Sequence, residues 1–298
     1  MSRVSVNGVM LNVTEIPQRA RRRKPGLPIV LIHGLAASSA FWYAAGAPFL
    51  ALMGPCLAYD LRGHGKSATP ETGYSVYAMM HDLEALLDQK GIGRAHLVAH
   101  SFGGMIALLY TLTHPQRVAS LSLVDVRIRP LQAAVEVEAQ EIPAGVARRL
   151  RELGVDVEAI ANADDGIDYL KSVAHIQIAA GAEANEMLTA LYRHPRLFRT
   201  AKAAEKWIDL TERASLVTDL KREASFGAAD LKGLDLPMQI LVGERSTTRP
   251  SAEALYRLCP HAEMELVPKV GHFFPISHPK LFLRPTLRFL RRAGKAGA

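Results

Sequence analysis

Residues 97–110 read LVAHSFGGMIALLY, a serine set between two apolar runs with two glycines close behind it. The first run reads as a buried strand and the second as a helix, so Ser101, Phe102, Gly103 and Gly104 must turn the chain sharply. Ala99 and Gly103, two before and two after the serine, are small enough to let strand and helix approach. Such a turn exposes the serine hydroxyl at the carboxyl end of the strand, beside a helix N-terminus. The amide of Phe102 then points where an oxyanion would form. This pattern suits nucleophilic attack on a carbonyl. The serine needs a general base within hydrogen-bond reach, and the base needs a carboxylate to orient it. The chain carries 11 histidines and 29 acidic residues, so residue type alone does not select the partners.

The surrounding elements narrow the choice. VSVNG and VMLNVTEI read as a hairpin around Asn7-Gly8. PIVLIHG, residues 28–34, is a continuous apolar run bounded by Pro and Gly, as expected of a strand buried on both faces. Residues 39–52 read as a helix, and PCLAYDLRGHG, residues 55–65, as a strand entering a glycine-rich loop. Val76, Met79, Met80, Leu83, Leu86 and Leu87 fall at helical spacing within residues 75–90, with Ser75 as N-cap. A strand is expected over 95–101, a helix over 105–114 closed by Pro115, and a strand over 118–126. After a break the pattern resumes with a strand over 236–244, a helix over 248–258, a strand over 262–268 and a final helix over 279–292. This alternation predicts an α/β fold, a mostly parallel sheet flanked by helices.

The break itself, residues 128–233, offers no strand pattern. It reads as helical, with apolar and aromatic faces that include Tyr169, Leu188, Leu191, Phe198, Trp207 and Leu210. The expected organisation is a core over residues 1–127, a helical lid inserted over 128–233 after the strand ending near Asp125, and the rest of the core over 234–298.

The order HG (33–34), DLRGHGKS (60–67), AHSFGG (99–104), helical insertion and GH (271–272) resembles the α/β-hydrolase superfamily. The resemblance covers the chain except the lid and tails. Ala99 stands where G-x-S-x-G usually has its first glycine, a change of one methyl group. The resemblance implies the α/β-hydrolase fold and Ser101 as nucleophile. It implies His272, in the loop after the last strand, as general base. It also implies the amide of Leu35 as the second oxyanion donor beside that of Phe102. His33 and His64 then read as loop-shaping residues, and the side chain of His100 as turned away from the nucleophile. Phe41 and Trp42 would either wall an acyl pocket or pack within a helix core.

Members of the superfamily commonly carry the orienting aspartate after the strand that here reads MQILVGE, as G-E-x-D. This chain reads GERSTTRP, with Ser246 in the aspartate's place. Three readings stay open. The acid is Asp125, at the end of LSLVDV, where some superfamily members carry theirs. It is Glu244, through its longer side chain. Or none is present. Asp125 is the expected acid, because a carboxylate ending so apolar a run must have a partner.

A serine in this place argues against the superfamily's dehalogenases and epoxide hydrolases, which use an aspartate. The expected activity is hydrolysis of a carboxylic ester, lactone or thioester. C–C bond hydrolysis is an alternative, although those enzymes often carry Asn before the serine and this chain has His100. Acyl transfer or thioester hydrolysis on coenzyme A or an acyl carrier protein is another. It is motivated by a net charge of +7 and by Arg19, Arg21, Arg22, Arg23 and Lys24 in one loop, with Arg291, Arg292 and Lys295 near the end. A ligand-binding protein on a degenerate hydrolase scaffold is the non-enzymatic alternative.

No nucleic-acid motif accompanies the charge, and no run of 18 apolar residues is long enough for a membrane span. Two cysteines, Cys56 and Cys259, read as buried free thiols. With an N-terminus unlike a signal peptide, they point to the cytoplasm. No metal-ligand spacing or phosphate-cradling loop appears, so no cofactor is expected.

Overall fold

The computed structural model describes residues 2–19, 26–132, 142–163, 166–192, 198, 200–221 and 226–296. Eight strands form one sheet: β1 Ser2–Val6, β2 Val9–Ile16, β3 Ile29–Ile32, β4 Cys56–Tyr59, β5 Ala95–His100, β6 Val118–Val124, β7 Met238–Gly243 and β8 Glu263–Val267. Their order is β1-β2-β4-β3-β5-β6-β7-β8. β1 and β2 form the expected hairpin, and β2 runs antiparallel to β4. Every other pairing is parallel. β3 to β7 are buried along their whole length, whereas the edge strand β8 is largely exposed. Continuous apolar sequence thus marks the strands covered on both faces.

Between these strands lie α1 Ala40–Ala45, α2 Ala47–Leu50, α3 Val76–Gln89, α4 Phe102–Thr113, α5 Ala144–Glu152, α6 Val157–Ala161 and α7 Gly166–Ala180. They continue as α8 Ala184–Tyr192, α9 Ala201–Arg213, α10 Leu216–Lys221, α11 Ala228–Lys232, α12 Arg249–Leu258, α13 Phe274–Ser277 and α14 Pro279–Ala296. The sheet separates two apolar layers. Val30 and Ile32 of β3 face one layer with Leu83 of α3 and Ile106 of α4. Ile29 and Leu31 face the other with Trp42, Phe274 and Phe282.

Two expectations shift. The helix expected over 39–52 divides at Gly46 into α1 and α2. α4 begins at Phe102, directly after the serine, three residues earlier than the apolar periodicity places it. Ser75 caps α3 as expected, its hydroxyl accepting from the Ala78 amide at 3.1 Å.

α5 to α11 fill the break in the strand pattern, and no strand occurs there among the described residues. Leu188, Leu191, Trp207 and Leu210 are among their buried residues, and Phe198, between α8 and α9, is buried too. Polar bonds fasten this segment to the loop between β4 and α3. The Asp219 carboxylate accepts from the amides of Gly73 (3.1 Å) and Tyr74 (2.8 Å). The Lys206 ammonium donates to the carbonyls of Gly65 (2.8 Å) and Ser67 (3.1 Å). The basic cluster Arg21–Lys24 lies outside the described residues. Both cysteines are buried free thiols, and burial pushes the Cys56 thiol up to about 12. No helix among the described residues is long and apolar enough to cross a membrane.

Candidate active site

Ser101 joins β5 to α4 with φ 54° and ψ −128°, a backbone conformation that costs of order 1–3 kcal/mol for a non-glycine residue. Neighbouring strands hold it there: its amide donates to the Val124 carbonyl at the end of β6, at 3.1 Å. Gly103 explains the close packing of α4 on β3. A Cβ at that position would lie 2.5 Å from the Ile32 carbonyl oxygen and 2.6 Å from that of His33. No side chain fits between two backbone segments at that distance.

The chain leaving β3 passes over the serine. A Cβ on Gly34 would come within 2.8 Å of the Ser101 Cβ, so only glycine permits the approach. His33 shapes this loop, as the sequence suggests. Its Nδ1–H donates to the Gly34 carbonyl at 2.7 Å, and its Nε2 accepts from the Leu61 amide at 3.0 Å. That pair of bonds requires the neutral ring, and burial lowers the pKa accordingly. Asp60 ties the same loop to its neighbours, accepting from the amides of Ser39 (2.6 Å) and Lys66 (2.8 Å). Leu35 follows Gly34 in this loop, and Phe102 opens α4. An amide at the first position of a helix has no intrahelical acceptor.

His272 lies between β8 and α13 and reaches both expected partners. Its Nε2 is 3.0 Å from Ser101 Oγ and its Nδ1 is 2.7 Å from Asp125 Oδ1. Asp125, just past β6, is fully buried and surrounded by donors. The Gly243 amide donates to Oδ2 at 2.8 Å, and the Thr248 hydroxyl to Oδ1 at 2.7 Å. The Ser246 hydroxyl also donates to Oδ1. Burial by itself would raise the pKa of this carboxyl. The His272 hydrogen bond and charge, with the bonds from Ser246 and Gly243, outweigh burial and hold it below the usual carboxylate range. Its contribution to stability is therefore complete above the unfolded carboxyl's pKa, near 4, and is lost as pH falls through the lower native value.

Ser246 occupies the position where the sequence motif leads one to expect an aspartate, and its hydroxyl donates to the carboxylate supplied by the neighbouring strand. A second carboxylate there would repel Asp125. The roles of Ser246 and Thr248 were hidden in the sequence. Two hydroxyl residues just after a strand end, in a chain lacking the expected aspartate, are the signal that could have shown them. Glu244 is exposed, and its Oε2 accepts from the Lys269 amide at 2.7 Å, fixing the loop after β8.

The His100 ring packs on the loop that carries His272: it stacks on Phe41 at 4.5 Å, and its Nε2–H donates to the His272 carbonyl at 3.1 Å. His100 follows Val98 on the sheet face that Phe273 and Phe274 cover, so the loop carrying His272 packs directly against it. Burial, then the neighbouring His272 charge, push its pKa down to about 3, so it is neutral. Trp42 is fully buried core, whereas Phe41 also lines a cavity.

That cavity, of about 250 Å³, lies between the loops after β3 and β4, α9 and α13. Ala36, Phe41, His64, Lys206, Trp207 and Ile276 are among its walls. Ser101, Asp125 and His272 are not, but Ala36 connects it to the loop over the serine.

A family model described as "alpha/beta hydrolase fold" matches residues 28–279. The chain belongs to the α/β-hydrolase fold family. Within this α/β-hydrolase-fold chain, a stretch of 106 residues is 39% identical to a Variovorax paradoxus protein named "Putative carbamate hydrolase RutD", covering 35% of this chain and 40% of that protein. The matched stretches span 40%, 47% and 64% of three curated relatives' own lengths. Among solved structures, a thermophilic esterase from Thermogutta terrifontis shares the fold with a TM-score of 0.62 at 21% identity, over 99% of this chain and 100% of the esterase. Est816, titled an N-acyl homoserine lactone degrading enzyme, gives a TM-score of 0.61 at 24% identity, over 96% of this chain and 99% of Est816.

Proposed function

We propose that this α/β-hydrolase-fold chain is a serine hydrolase that cleaves a carboxylic ester, lactone or thioester through an acyl-enzyme on Ser101. The observation that carries the reading is the unbroken line of hydrogen bonds from Ser101 Oγ through His272 (3.0 Å) to the buried Asp125 (2.7 Å). An ionised Asp125 accepts from Nδ1–H, which leaves the Nε2 lone pair of His272 facing the serine. Nε2 takes the hydroxyl proton as Ser101 Oγ bonds to the carbonyl carbon. The carbonyl oxygen becomes an oxyanion held by the amides of Phe102 and Leu35. The imidazolium then passes its proton to the leaving oxygen or sulfur, and the acyl–leaving group bond breaks. Water attacks the acyl-enzyme by the same route, releasing the acid and restoring Ser101.

The helical segment over residues 128–233 acts as a lid, and the cavity beneath α9 receives one arm of the substrate. The three named relatives each bear a carbamate, lactone or ester in their names or titles, which supports an acyl carbonyl as the substrate's reactive centre. Chromogenic short-chain esters offered to wild type and Ser101→Ala test the proposal. Turnover by wild type that disappears in the variant supports it, and equal turnover contradicts it.

Ser246→Ala removes one of the donors to Asp125 while Thr248 and Gly243 remain. Loss of one hydrogen bond to a charged group, about 1.5–3 kcal/mol, corresponds to a roughly ten- to hundredfold lower kcat/KM. Steady-state kinetics on the same esters measures it.

A further inference from the structure

The cavity between the loops after β3 and β4, α9 and α13 has mostly apolar walls, but two of the side chains that line it, His64 and Trp207, keep a buried nitrogen without a partner. The His64 Nδ1–H donates to the Arg62 carbonyl at 2.8 Å, which leaves Nε2 as an acceptor. That Nε2 is buried and without a partner. The ring is neutral, since burial and the nearby His33 push its pKa down to about 3. Trp207 Nε1–H, a donor only, is likewise buried and unpartnered. The two rings lie against one another, with centroids 5.8 Å apart. Lys206, the residue before Trp207, gives two bonds to the carbonyls of Gly65 and Ser67, and an ammonium has three donors.

Among the described residues that line this pocket, His64 thus keeps an unmet acceptor and Trp207 an unmet donor, both closed off from solvent. A carbonyl or carboxylate would answer the donor but turn its lone pairs toward His64 Nε2. An ammonium would answer only His64. A hydroxyl answers both kinds, because it accepts on oxygen and donates its proton.

We infer that the substrate arm held in this cavity carries a hydroxyl group, which accepts from Trp207 Nε1–H and donates to His64 Nε2. The inference rests on the serine-hydrolase reading above and adds a substrate class to it: hydroxy-acyl esters or monoesters of diols. Both nitrogens are closed to solvent in the unliganded protein, so a small outward movement of α9, which carries Trp207, accompanies binding. An unpaired buried polar group costs enough to make an analogue lacking the hydroxyl a distinctly poorer substrate.

The test compares ethyl butanoate with ethyl β-hydroxybutanoate on the acyl side, and with ethylene glycol and butanediol monobutanoates on the alcohol side. Wild type is expected to prefer at least one hydroxy ester by about tenfold or more in kcat/KM. In Trp207→Phe, which keeps a ring and removes the N–H, that ratio should fall to within about twofold of one. No preference in wild type, as when the two nitrogens share only a bound water, overturns the inference; so does a preference that survives in Trp207→Phe. Failure of the function itself reads differently, as ester turnover that Ser101→Ala does not reduce. In that case binding reports on the cavity. Cyclohexanol should perturb the emission of Trp207 at lower concentration than methoxycyclohexane, which accepts but cannot donate. Equal responses overturn the inference.

Discussion

Ser101→Ala, His272→Ala and the double variant are expected to fall to one common floor, roughly 10⁶ below wild type in kcat. In the proposed mechanism the two side chains, 3.0 Å apart, form a single proton-transfer unit. Without the hydroxyl there is nothing for the imidazole to activate, and without the imidazole the hydroxyl is a poor nucleophile. The second substitution therefore costs almost nothing once the first is made. In the proposed mechanism what survives comes from the oxyanion donors Phe102 and Leu35 and from substrate binding, roughly 10³–10⁴ over water. Losses that add between the two sites, or a variant that retains most of its turnover, would mean that the residues work apart. Melting temperatures of the three variants should stay near wild type. Ser101 is only partly buried, and its strained backbone is fixed by the Val124 carbonyl rather than by its side chain.

Asp125→Asn is expected to lower kcat/KM by about 10²–10⁴ with the fold retained. The carboxylate sits among donors only: the Gly243 amide, the Ser246 and Thr248 hydroxyls and His272 Nδ1–H. Asparagine brings two more N–H groups into that ring. The hydroxyls can rotate to accept, but the backbone amide cannot. The asparagine oxygen thus turns to the Gly243 amide, and its NH₂ faces His272. An NH₂ there selects the tautomer with a bare Nδ1 and a protonated Nε2, which cannot accept the serine proton. Unmet hydrogen bonds also cost stability, about 1–3 kcal/mol, visible in thermal melts. Near-wild-type kinetics in Asp125→Asn would remove the carboxylate from the mechanism.

Much of the architecture was legible because burial leaves a mark in sequence. Runs such as PIVLIHG and LVAH sit in strands covered on both faces, and the small residue at Gly103 announces a helix pressed against backbone. The serine elbow and the strandless region after Asp125 were readable for the same reason. Asp125 was legible as the candidate acid from its place at the end of LSLV, but the ring of donors around it was not. Residues 125, 246, 248 and 272 converge only because β6, β7 and β8 lie side by side, and nothing local in GERSTTRP says that its hydroxyls point at a carboxylate from another strand. The packing partners of His100 were hidden on the same ground: they come from a loop 172 residues away. The unmet nitrogens of His64 and Trp207 are likewise a property of packing between the core and the helical segment.

Covalent labelling tests the activation of Ser101 most directly. An alkyl fluorophosphonate offered to the purified protein, followed by peptide mass spectrometry, should place one adduct per chain on Ser101. The rate should collapse in His272→Ala and slow sharply in Asp125→Asn. Labelling at another residue, or at Ser101 with a rate indifferent to His272 and Asp125, would contradict a serine activated through that line of hydrogen bonds.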